Sequence, residues 1–103
     1  MSSYLYCLNI VFPVAFEDAV SAALIEHDPP LPGFTLVEAE GHSNDFGTAS
    51  TEEHVRGRVT RRMIHMVLPH EVVNEVIASL RARVRSERVV WWTTRVEAFG
   101  RLA

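Results

Sequence analysis

The chain has no lysine: all ten of its basic residues are arginine, set against 13 acidic ones and a net charge of −3. That balance excludes the densely basic surface that neutralising a phosphate backbone demands, so no nucleic-acid partner is expected. There is a single cysteine, Cys7, which rules out an intrachain disulfide and fits a reducing compartment. Among its apolar neighbours Cys7 reads as a structural thiol rather than a reactive one. No apolar run approaches the ~20 residues of a membrane helix. The opening YLYCLNIVFPVAF lacks a basic lead and is interrupted by Asn9 and Pro13. It therefore reads as a strand, not a targeting core, and the cytoplasm is the expected location. Recognisable catalytic settings are also missing. The serines lie in no nucleophile elbow, Cys7 has no adjacent base, and the Glu52–Glu53 pair lies in no evident pocket, so a regulatory or binding module is expected rather than an enzyme.

What is present is ordinary globular material: 103 residues, 48% hydrophobic, expected to form one domain over 1–103. From Tyr4 to Phe12 one parity carries Tyr4, Tyr6, Leu8, Ile10 and Phe12, and the other carries Leu5, Cys7 and Val11. Both faces of this strand are apolar, so both require cover. Phe16, Ala19, Val20, Ala23 and Leu24 then fall at the spacing of an amphipathic helix, with Glu17 and Asp18 suited to its positive end. DPPLPG stops it. Phe34–Glu40 reads as a second strand, and Val55–Leu68 contains a third. Val73, Val76, Ile77, Leu80 and Val84 mark a second helix, and RVVWWTTRVEA a fourth strand.

An internal echo supports the order β-α-β-β-α-β. Shifting the chain by 56 residues lays Val11 on Val67, Pro13 on Pro69, Val20 on Val76, Ala22 on Ala78 and Leu24 on Leu80. Each copy is strand, proline, helix, and two such halves build a ferredoxin-like split βαβ sandwich of the α+β class. With both helices on one face, the other sheet face exposes an apolar patch, and self-assembly through it is the physical expectation. Trp91 and Trp92 point to opposite faces, one expected in the core and the other at an interface or cleft. His65, on an apolar strand, reads as a satisfied core or interface histidine. Between strands two and three lies GHSNDFGTASTEEHVRGR, Gly41 to Arg58, with almost nothing to bury, where a tight hairpin would serve. It is expected to be mobile alone and ordered by an effector or partner.

GFTLVEAEGH, Gly33 to His42, resembles the second strand of PII signal-transduction proteins, where a Gly-x-Thr segment leads through a glutamate to a glycine that opens a long loop. With the element order and the long loop, the resemblance covers nearly the whole chain. It is to a small PII-like branch associated with heavy-metal efflux transporters of the resistance-nodulation type. The resemblance implies a homotrimer with effector clefts between subunits and a loop, 41–56, that reaches a partner protein, with a transporter as the implied partner and no membrane insertion. Effector-binding candidates are Thr35, Gly41, His42, Arg95 and Arg101. Ser43, Asn44, Asp45, Phe46, Glu52 and Glu53 are the candidate partner-contact residues.

PII proteins hold ATP phosphates with a glycine-rich, lysine-bearing loop before the last strand. Here that position is ARVRSERV, Ala82 to Val89, without glycine or lysine, so Mg-ATP binding of that kind is not expected. Arg83, Arg85, Arg88, Arg95 and Arg101 supply guanidinium groups suited to an anionic ligand instead. The alternative reading is a CutA-like trimer that binds a divalent transition metal and is linked to metal tolerance. Its ligands would be His42, Asp45, Glu53 and His54, a set of imidazoles and carboxylates competent for zinc, copper or nickel.

Overall fold

The computed structural model describes residues 4–41 and 59–103. The expectation of a mobile loop falls on residues outside these. The elements run β1 (Leu5–Pro13), a 3-10 turn (Val14–Phe16), α1 (Glu17–Ile25), β2 (Thr35–Gly41), β3 (Val59–Pro69), α2 (His70–Arg83) and β4 (Val90–Val96). The four strands form one sheet in the order β2-β3-β1-β4, antiparallel at every pairing. Since β3 inserts between β1 and β2, this is the ferredoxin-like split βαβ arrangement anticipated from the pattern.

The proline echo has a structural counterpart. Pro13 ends β1 with φ −62° and ψ 148°, and Pro69 ends β3 with φ −59° and ψ 147°. A proline cannot donate to the ladder, so it suits the last residue of a strand, and its fixed φ prepares the entry to a helix. α2 starts directly after Pro69, where the amide of His70 donates to the carbonyl of Tyr4 at 2.8 Å. α1 starts one 3-10 turn later, so Phe16 stands at its N-cap rather than inside it. The acidic first turn, Glu17 and Asp18, faces the positive helix end as expected.

The core lies between the helices and one sheet face. Leu8, Ile10 and Phe12 of β1 and Ile64, Met66 and Leu68 of β3 are almost fully buried. They pack beneath Val20, Ala23 and Leu24 of α1 and Val73, Val76, Ile77 and Leu80 of α2. These are the helical stripes read from the sequence. A substitution such as Phe12→Ala here removes about 3–5 kcal/mol through lost burial and the cavity left behind.

The tryptophans depart from expectation. Neither fills the core: Trp91 and Trp92 are 39% and 42% exposed, and no residue of β4 is buried. The reason is topological. Among the described residues β4 is an edge strand bordering β1 alone, whereas α2 packs on β1 and β3.

Candidate effector site

The opposite sheet face carries Cys7, Asn9 and Val11 of β1 and Met63, His65 and Val67 of β3, with Thr35 and Val37 of β2 and Val90 and Trp92 of β4 flanking them. Among the described residues no element covers this face. At its centre Asn9, only 6% exposed, pairs in register with His65 on one side and Trp92 on the other. The Asn9 amide nitrogen donates to the Cys7 carbonyl at 3.2 Å and to the Trp92 carbonyl at 3.5 Å. Its Oδ1 accepts from His65 Nδ1 at 2.7 Å and, weakly, from Cys7 Sγ at 3.6 Å. His65 is thus a satisfied histidine, and Cys7 is half-buried on the face away from the helices.

On the helix side the uncovered β4 leaves a groove against α2, and Trp91 stands between its two hollows. The smaller, 220 Å³, is lined by Tyr6, His70, Asn74 and Thr93 beside Trp91. The larger, 420 Å³, lies where α2 ends and the chain turns back into β4. Ile77, Leu80 and Val84 form its apolar floor, Trp91 a wall, and Arg81, Arg85 and Glu87 its rim. This volume lies within the roughly 300–1,000 Å³ of small-molecule sites.

The arginines are not alike. Arg62 donates through Nε to Glu17 at 2.7 Å and lies 3.7 Å from Glu38, tying α1 to β2. Arg83 donates to Glu26 at 2.6 Å, joining the C-terminal ends of the two helices. That contact, first through the hydrogen bond and then through charge, holds the Glu26 carboxyl below its ordinary 4.5. Arg88 lies over the Phe16 ring at 5.0 Å and Arg95 over the Tyr4 ring at 4.0 Å, both cation–π contacts. Among the described residues Arg81 and Arg85 have no hydrogen bond or ion pair. They flank the larger hollow.

Of the effector candidates, Thr35 sits at the start of β2 opposite His65, Gly41 ends β2 opposite Val59, and Arg95 pairs in register with Tyr6. Gly41 and Arg95 stand at opposite ends of the sheet, nine β3 positions apart or roughly 30 Å at strand rise. Arg101 is exposed beyond β4. One chain therefore does not bring these residues together. His42 and the partner-contact set Ser43, Asn44, Asp45, Phe46, Glu52 and Glu53 lie outside the described residues, as do the metal candidates Asp45, Glu53 and His54. Among the described residues no three histidine, cysteine, aspartate or glutamate side chains cluster as a metal site. No helix among them is long and apolar enough to cross a membrane. The sequence reading did not single out Arg81 or the Trp91 groove; the signal was an arginine at each side of the α2 C-terminus, next to a tryptophan on an edge strand.

A family model spans the whole of this fold, matching residues 1–103. The chain belongs to the family described as protein of unknown function (DUF3240). No curated protein matches it. Among solved structures, a DUF3240 family protein from Shewanella baltica OS155 superposes with a TM-score of 0.78 at 18% identity, covering all of both chains. CPII, a nitrogen regulatory PII-like protein from Thiomonas intermedia K12 solved with ADP, AMP and bicarbonate, gives 0.70 at 16% identity over 96% of this chain and 97% of its own. Arabidopsis thaliana PII bound to citrate gives 0.72 at 16% identity over 98% and 82%. The fold of this DUF3240 chain is that of the PII-like proteins.

Proposed function

We propose that this protein is a PII-like regulatory module rather than a catalyst, acting in the cytoplasm. Copies assemble through the helix-free sheet face into a homotrimer, and a small anionic effector binds at the subunit clefts. Residues 41–56 pass the bound state to a partner protein, with a membrane transporter as the implied partner. The observation that carries the reading is the whole-chain PII-like fold, in which relatives have been solved with ADP, AMP and bicarbonate and with citrate. The hollow at the end of α2, with two guanidinium groups that have no partner among the described residues, supplies the matching chemistry on this chain. The apolar half of the sheet face supports assembly, since such patches rarely stay bare.

A thermal-shift panel of AMP, ADP, bicarbonate, citrate, zinc, nickel and copper tests the effector. A ligand that prefers the native state raises apparent stability with the logarithm of its concentration relative to its Kd. Stabilisation by at least one anion supports the reading, and stabilisation by a transition metal alone transfers the assignment to the metal-binding alternative. Deletion of Ser43–Thr51 is expected to leave the fold and assembly unchanged while removing the partner response.

A further inference from the structure

The hollow at the end of α2 combines three features that together specify a ligand class. Its floor is aliphatic, formed by Ile77, Leu80 and Val84, so it favours an apolar body over a fully hydrated one. Its wall is the partly exposed ring of Trp91, which offers a flat face for an aromatic group. Its rim carries Arg81 and Arg85 against Glu87, a net single positive charge, and none of the three has a hydrogen bond or ion pair among the described residues. Arg81 stands in the last turn of α2 and Arg85 two residues beyond its end, and both line the hollow. A carboxylate placed between them accepts the planar, bidentate hydrogen bonds that guanidinium forms best.

We propose that this hollow binds a monoanionic aryl carboxylate, its ring against Trp91 and the aliphatic floor and its carboxylate on Arg81 and Arg85. The inference rests on reading this hollow as the effector site. One negative charge balances the rim, whereas a phosphate dianion or polyphosphate meets Glu87 without the glycine amides that would share its charge. The hollow therefore selects against inorganic phosphate and nucleotides and in favour of a ring with one carboxylate. Neutral benzylic alcohols lose both charge-assisted bonds, and protonated benzylic amines meet like charge.

The test is a titration of the full-length Trp92→Phe protein, in which Trp91 is the sole indole reporter, with phenylacetate. Benzyl alcohol, benzylamine, AMP and inorganic phosphate serve as comparison probes. Saturable quenching by phenylacetate is expected, with benzyl alcohol at least roughly tenfold weaker, as loss of a charge-assisted pair implies. Arg81→Gln and Arg85→Gln, both at exposed positions, should each weaken phenylacetate roughly tenfold with unchanged melting temperature. Equal affinity for benzyl alcohol overturns the proposal together with the anion reading of this hollow, whereas tighter binding of AMP that depends on the same two arginines overturns the proposal while leaving an anion-effector site in place. No saturable change with any of the five probes overturns the proposal together with the effector reading of this hollow.

Discussion

Asn9 and His65 face one another across β1 and β3, and the asparagine Oδ1 accepts from the histidine Nδ1 at 2.7 Å. The orientation of the carboxamide follows from its other end, where Nδ2 faces the carbonyls of Cys7 and Trp92, which can only accept. His65 must then carry its neutral-state proton on Nδ1. The pair is a polar hinge-pin in an apolar sheet face, and losing the acceptor leaves that N–H without its partner. Asn9→Leu should cost about 1–3 kcal/mol in urea unfolding, the penalty for an unsatisfied, largely desolvated donor. Nitrogen chemical shifts of the His65 ring should report the Nδ1–H tautomer near neutral pH; the opposite tautomer with an undiminished Asn9→Leu midpoint would refute this account of the pair.

The Glu26–Arg83 contact sets a pH dependence on the acid side. The folded-state pKa of Glu26 is lowered, chiefly by the hydrogen bond from Arg83. A depressed carboxylate contributes stability above its unfolded value and loses it as pH falls through the folded one. Part of the loss of stability below the ordinary 4.5 should therefore vanish in Glu26→Gln. The pair is exposed, so the effect should be small and should shrink further in high salt. Melting temperatures of both proteins across the acid range check this; parallel curves would remove the contact from the account.

Much of this architecture was legible along the chain because burial follows periodicity. The alternation in Tyr6–Phe12 names the strand residues found beneath the helices, and the stripe Val73–Leu80 the helix residues that pack on them. Pro13 and Pro69 marked both strand ends through a property of the ring itself, not through propensity. The element order also implied the strand order, but not how far the helices reach across the sheet, and the tryptophan expected in the core lies on the edge strand instead. One tryptophan of such a pair looks like core until the helices are known to pack on β1 and β3. The site was harder still. Arg81, Arg83 and Arg85 are alike in sequence, and the position of Glu26 at the end of another helix decides that, among the described residues, Arg83 is paired and the other two are not. Thr35, Gly41 and Arg95 do not converge within one chain, so no reading of a single chain could test them as one site.

Nucleotide selectivity follows from the turn between α2 and β4. Val84 to Val89 offers no glycine to let backbone amides close around a triphosphate, and the chain has no lysine. Calorimetry with Mg-ATP should show weak binding or none. Tight, magnesium-dependent binding would contradict both this account of the turn and the charge balance argued for the rim.

Assembly through the helix-free sheet face is the claim on which the regulatory reading rests, and adjacent residues on β3 separate it from simple folding. Val67 is half-buried on that face beside Cys7, whereas Met66, 1% exposed, points into the core beside Leu8. An aspartate at position 66 is an unpaired charge in the core, so Met66→Asp should prevent folding. An aspartate at 67 meets water in a single chain but is buried in an assembly. Light scattering coupled to size exclusion, run on the native protein and on Val67→Asp, is the most direct measurement. The account predicts a trimer for the native protein and a folded monomer, with native-like circular dichroism, for Val67→Asp. A native protein that stays monomeric at all concentrations, or a Val67→Asp protein that remains a trimer, would contradict it.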